Sequence, residues 1–189
     1  MTMSESIMRM TYSMSNMVET FYKDMKSVGA EDIYTKCIDR LILNGFFDMP
    51  ASTKYHGTNR GDLFRHSMHV AHNLKEITEK MDIKWQDPRS PILIGYFHDL
   101  CKMDKYYWKD DTCEWIYRKD QLIEGHGDKS VMIASTLCEL TEEEMLCIRY
   151  HMGAYETNDW SGYDRAIRKY QTVLWTHTAD MLASKVQGI

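Results

Sequence analysis

The chain has 189 residues, 23 basic and 28 acidic, giving a net charge of −5 with its eight histidines neutral. One domain is expected at this length, and 43% hydrophobic with 27% charged residues is an ordinary globular composition that argues against disorder. No apolar run approaches the roughly 20 residues that a bilayer-spanning helix needs, and the acidic balance makes a coat on long nucleic acid a poor reading.

Small anionic ligands remain compatible with that charge, because a bound cation inverts the local field. The five cysteines are an odd number with no C-x-x-C pair, so neither a disulfide framework nor a thiolate zinc knuckle is expected. The methionine-rich N-terminus is interrupted by Glu5 and Arg9, which breaks any signal-like apolar core and points to a cytoplasmic protein.

Apolar spacings of three and four residues, with three prolines and ten glycines, predict a mainly helical chain. Met10, Met14, Met17, Phe21 and Met25 form a first stripe, stopped by Gly29, that packs on the core or on a partner in a homodimer. Ile33, Cys37, Ile38, Leu41 and Ile42 form a second, ended by Asn44-Gly45. Residues 1–48 are thus N-terminal helices packing on a main domain of residues 49–189.

After a loop from Met49 to Gly61, the stripe Leu63, His66, Val70, Leu74, Ile77 and Met81 turns His66 inward. Pro88 and Pro91 open a helix that is apolar all round, hence central and buried, and that leads into His98-Asp99. Aromatics between Tyr106 and Tyr117 flank Lys109-Asp110-Asp111-Thr112 as a small β-hairpin inserted among helices. Gly125-His126-Gly127-Asp128 breaks the chain before the next helix, and Thr141 with Glu144 forms a capping box for a helix reaching His151. One last helix carries Tyr163, Ile167, Tyr170, Leu174, His177 and Met181 on one face, with Val173, Asp180 and Ser184 on its neighbour.

His66, His98-Asp99, His126, His151 and Asp180 follow one another at intervals of about one helix plus a connection. In a helical bundle such spacing can return successive side chains to one point in the core. Asp99 and Asp180 both lie in apolar surroundings, and a buried carboxylate demands a partner or a cation. Four imidazoles with two carboxylates and no thiolate suit Fe, Mn, Co, Ni or Zn rather than Ca.

The ordered set His66, Phe97-His98-Asp99-Leu100-Cys101-Lys102 and His177-Thr178-Ala179-Asp180-Met181-Leu182-Ala183 resembles the HD-domain metal-dependent phosphohydrolase superfamily, over roughly residues 50–185. Gly125 to Ser130 and Ile148 to Gly153 are similar to the additional histidine motifs of members that hold two metals. The lead-in from Pro50 to Leu63 resembles small bacterial and phage members, although Asp62 stands where relatives often have the second glycine of Gly-Gly-Leu. The resemblance implies an all-α, compact helical bundle and a divalent transition metal, two ions per chain, with Mg also admitted. It implies that His66, His98, Asp99 and Asp180 hold the first ion, and that Asp99 bridges to a second held by His126 and His151.

The implied activity is hydrolysis, by a metal-activated hydroxide, of a phosphoester or phosphoanhydride bond in a small nucleotide-like substrate, with Asp99 and Lys102 as catalytic residues. Lys102 would neutralise a phosphoryl oxygen, and Lys129, Arg65 and His56 are further substrate-binding candidates. His177 is a candidate support for Asp180, whereas His69 and His72 drift off the apolar stripe. Tyr106, Tyr107, Trp108 and Trp115 either stack on a base or pack on their own domain. The Gly-Tyr-Pro signature of cyclic-dinucleotide hydrolases is not met, the nearest string being Gly162-Tyr163-Asp164. Other readings are a 3′-5′ exonuclease on short oligonucleotides and a non-catalytic nucleotide-sensing module.

Overall fold

The computed structural model describes residues 3–53, 57–154 and 158–189, with side chains from residue 14 onward. Among them it has helices α1 (Met3–Ser27), α2 (Glu31–Leu43), α3 (Asp62–Lys80), α4 (Ser90–Phe97), α5 (His126–Ser135), α6 (Glu142–Arg149), α7 (Trp160–Lys169) and α8 (Thr172–Met181). A 3-10 turn (Leu100–Asp104), a hairpin of β1 (Tyr106–Lys109) and β2 (Glu114–Tyr117), and a terminal π turn (Leu182–Gln187) complete an all-α fold with one small sheet. No helix among the described residues is long and apolar enough to cross a membrane.

Every residue of α4 is buried, as its uninterrupted apolar sequence requires, and α3 lies along it. Gly95 is what permits that approach. A Cβ there would fall 2.2 Å from the Ala71 Cα, so no larger residue fits without moving α3 from α4. The stripe of α1 faces this centre: Met17, Phe21 and Met25 are buried, and Phe21 meets Tyr96 edge-on at 4.8 Å. The side chain of Met10 lies outside the described residues. The Tyr96 hydroxyl donates to Asp24 at 2.6 Å, and His72 meets the same oxygen at 2.8 Å, so one carboxylate ties α1 to α3 and α4.

The expected capping box is present at Thr141 and Glu144. The Glu144 carboxylate is completely buried and also takes Arg89 and the Ser90 hydroxyl, which fastens the start of α4 to α6. At the other end α6 stops at Arg149, so His151 follows the helix instead of lying within it. Likewise α5 begins at His126 itself, because the positive φ of Gly125 (91°) breaks the chain just before it.

The single last helix expected from the sequence is two helices. Tyr170 is extended (φ −135°, ψ 97°), and contacts with the acidic start of α6 hold the break: its hydroxyl donates to Glu142 at 3.0 Å, and that of Thr172 donates to buried Glu143 at 2.6 Å. The re-aimed α8 buries Val173, Thr176, Ala179 and Asp180, while Leu174 and Met181 face outward. In the hairpin, Tyr106 pairs with Tyr117 and Trp108 with Trp115. The Arg118 N–H donates to the Lys105 carbonyl at 3.0 Å and closes its two ends on each other.

Replacing Gly95 with Ala is expected to destabilise the protein by about 1–3 kcal/mol through overpacking. Urea unfolding with an unchanged slope and a lowered midpoint would show it, and an unchanged midpoint would count against the Gly95–Ala71 constraint.

Candidate metal centre

Four separate elements deliver five polar side chains to one buried point. α3 brings His66, the end of α4 brings His98, the following residue is Asp99, α8 brings Asp180, and the turn after α6 brings His151; all five are at most 5% exposed. His126 arrives from the first turn of α5 at the rim of the cluster.

Three of the rings are fixed by backbone carbonyls. Nδ1 of His98 meets the Gly95 carbonyl at 2.8 Å, that of His151 meets Ile148 at 2.7 Å, and that of His66 meets Ile189 at 2.9 Å. A carbonyl only accepts, so these bonds assign the proton to Nδ1 and turn each Nε2 lone pair to the centre. A metal-binding histidine needs this arrangement. His177 adds support by donating to the carbonyl of His151 at 2.7 Å.

The Nε2 atoms of His66 and His98 are then 3.2 Å apart, with His66 Nε2 3.1 Å from Asp180 Oδ1 and His98 Nε2 3.3 Å from Asp99 Oδ2. Acceptors face acceptors, an arrangement that calls for a proton or a cation. Asp99 Oδ1 and His151 Nε2 are buried without a hydrogen-bond partner, 3.6 Å from each other. Orphaned buried acceptors are costly in a folded chain. Ligand atoms lie within 4.8 Å of one another in three overlapping sets: His66, His98 and Asp180; His98, Asp99 and His151; Asp99, Cys101 and His126. Nitrogen and carboxylate donors in this density fit a divalent transition metal.

Asp99 divides these groups between its oxygens. Oδ2 faces His66 at 3.5 Å, His98 at 3.3 Å and the Lys102 ammonium at 2.6 Å, while Oδ1 faces His126 and His151, each at 3.6 Å. Burial works against the charge on Asp99, but Lys102 and the surrounding imidazoles outweigh it and hold the carboxyl well below the usual carboxylate range. Burial likewise opposes the charge on Lys102, and contact with Asp99 outweighs it and holds the ammonium above its ordinary range.

The centre opens into a cavity of about 570 Å³ whose floor includes His66, Asp99, Lys102, His126 and Asp180. Its walls carry Lys105, Lys119 and Lys185, together with Tyr106 and Tyr117. These three lysines were not singled out from the sequence. Lys105 stands three residues beyond Lys102, a weak local signal, but Lys119 and Lys185 reach the cavity only through the fold. Lys105 donates to His126 Nε2 at 2.7 Å, so this ring is held by an ammonium where the others are held by carbonyls. Its Nδ1 points to Asp99 and to Cys101, a sulfur donor not expected from the sequence.

The other candidates lie elsewhere. Lys129 is buried and binds both oxygens of Asp104, at 2.8 and 2.9 Å, beneath a separate hollow. Arg65 pairs with Asp62 and lines a different hollow, beside α1. There the Asp62 carboxylate also accepts from the Asn59 N–H at 2.8 Å, which gives the departure from Gly-Gly-Leu a role in closing the loop. His72 binds Asp24, away from the centre. His56 lies outside the described residues.

A family model described as "HD domain" matches residues 63–181. No curated protein and no solved structure gives a match to the chain.

Excess Mn, Co, Ni or Zn is expected to raise the thermal unfolding midpoint relative to chelated protein, by the equivalent of about 2.7 kcal/mol at a hundred times the dissociation constant. His98→Ala should remove most of that gain. Equal midpoints with and without chelator would mark the cluster as a polar core that binds no ion.

Proposed function

Because the chain belongs to the HD domain family, we propose that it is a metal-dependent phosphohydrolase that cleaves a phosphoester or phosphoanhydride bond of a small nucleotide-like substrate with two divalent cations per chain. The observation that carries this reading is the division of Asp99, one oxygen towards His66 and His98 and the other towards His126 and His151, at the floor of a lysine-walled cavity. Cations held there supply Lewis acidity to water and to a phosphoryl oxygen.

The chain's own residues divide the remaining work. His66, His98 and Asp180 would hold one ion, His126 and His151 the other, and Asp99 both. Ligation by His126 through Nδ1 requires its Lys105 contact to be exchanged for an acceptor, since an ammonium on Nε2 leaves the ring proton on Nδ1. Lys102 keeps its charge at the cavity floor, where it can offset negative charge developing on a phosphoryl oxygen. Lys105, Lys119 and Lys185 favour an anion over a neutral ligand in the same space.

Turnover of nucleotides, dinucleoside polyphosphates, cyclic nucleotides or short oligonucleotides by the metal-loaded protein tests the proposal. Asp99→Asn should lower it by about a hundred-fold or more, as expected when several kcal/mol of transition-state stabilisation are lost. Activity untouched by Asp99→Asn or by chelation would refute the metal mechanism. Turnover confined to oligonucleotides, with mononucleotides released from the 3′ end, would make the protein a 3′-5′ exonuclease, and nucleotide binding without turnover a sensing module. Elemental analysis should find two ions per chain, falling towards one when His126 and His151 are both replaced by Ala; a count that stays at two would overturn the dinuclear assignment.

A further inference from the structure

The β1–β2 hairpin has two unlike faces. The pairing of Tyr106 with Tyr117 and of Trp108 with Trp115, combined with strand alternation, puts these four aromatics on one face. The rings pair edge-on across the strands, Tyr106 with Tyr117 at 6.1 Å and Trp108 with Trp115 at 5.3 Å. The opposite face carries Tyr107, Lys109, Glu114 and Ile116. Only Tyr106 of the aromatic four is buried; the tryptophans are half-buried and Tyr117 is exposed.

This aromatic face joins two hollows. Tyr106 and Tyr117 line the cavity of the Asp99 centre, while Tyr117, Trp115 and Trp108 line a neighbouring hollow of about 720 Å³. Thr53 and Tyr117 border both. One strand pair separates from the next aromatic pair by two residues, about 7 Å along the strand, so the tryptophans stand one short step from the cavity wall. The chemistry changes over that step. Lysines dominate the first hollow; the second offers indole rings, Thr58, Asn59 and the Arg60 guanidinium, with Glu114 and Ile116 of the hairpin's other face at its margin. The Arg60 guanidinium lies over both indole rings, 5.1 and 5.3 Å from their centroids, and gives one N–H to Asp48, which steadies it there.

We propose that the aromatic face of the hairpin binds the nucleobase of a nucleoside phosphate whose phosphoryl group lies at the Asp99 centre, with Trp108 and Trp115 as the stacking residues and Arg60 at the base edge. The proposal rests on the hydrolase reading for the position of the phosphate. It follows from the order of the surfaces: cation-rich floor, tyrosine border, then a pair of half-buried indoles with a polar rim. Every base has a π face, so stacking there selects for a nucleoside over a bare phosphate while discriminating little among bases.

Calorimetric titration of the metal-loaded full chain would use two probes: the phosphonate analogue of AMP, with a methylene in place of the ester oxygen, and the same ribose phosphonate without its base. Neither can be cleaved at that bond. The base should improve affinity about ten-fold or more, and Trp108→Ala or Trp115→Ala should each remove most of that gain while leaving the base-free probe within about two-fold. Trp108→Phe should retain it, which separates loss of stacking from loss of fold, and Tyr107→Ala on the opposite face should change neither affinity. A base that adds no affinity, or tryptophan variants that weaken both probes equally, would overturn the proposal. Base-selective binding in a protein that hydrolyses none of the phosphates tested would leave the stacking wall standing and remove the hydrolase reading alone.

Discussion

A carboxylate taken out of water must be compensated from within the protein, and the uncompensated cost is several kcal/mol. Asp99 imposes that demand at the point where α3, α4, α5, α6 and α8 converge. It is 2% exposed, one of its oxygens is matched by Lys102, and the other faces two imidazoles with no hydrogen bond. Each surrounding element contributes one polar atom, and most of those atoms are themselves buried. The arrangement is poor as an apolar core and coherent as a ligand shell, since every group that is costly alone is a donor to a cation.

Such a shell tolerates little displacement, and two close helix approaches set its dimensions. Gly95 lets α3 and α4 touch through backbone, which brings His66 and His98 together and places the Gly95 carbonyl under the His98 ring. Gly127 does the same for α5 and the end of α6: a Cβ there would overlap the Arg149 carbonyl, whose chain leads directly into His151. The buried Glu144 and Glu143 then fix α6 against α4 and α8 by ion pairing and hydrogen bonds outside the centre. The positions of these side chains thus depend on contacts made outside the cluster itself.

Much of this could be read from residue order. The apolar sequence of α4 announced a central helix, the stripe of α3 turned His66 inward, and the Thr141–Glu144 cap fixed where α6 starts. The division between α7 and α8 was hidden because Tyr170 and Gln171 are neither glycine nor proline; side-chain contacts to Glu142 and Glu143, distant in sequence, make the break. Beyond the break Leu174 and Met181 face outward, while Asp180 is buried, as its apolar context indicates. At the centre, histidine and aspartate were visible as chemically unusual residues in apolar context. Lysines carry no such mark. Lys129 looked suited to phosphate at a helix start but is taken up by Asp104, whereas Lys119 and Lys185 are brought to the cavity from chain segments far apart.

The closure of the hairpin on itself at Lys105 and Arg118 has a consequence for how such a chain can diversify. Residues 106–117 leave and return at almost one place, between Asp99 and His126 in sequence, so the excursion can change in length or composition without altering the path that carries the ligands. The part of the wall beyond Tyr106 and Tyr117 is therefore separable from the floor around Asp99. A different hairpin tip grafted beyond Tyr106 and Tyr117 would reshape the neighbouring hollow and leave the side chains around Asp99 in place.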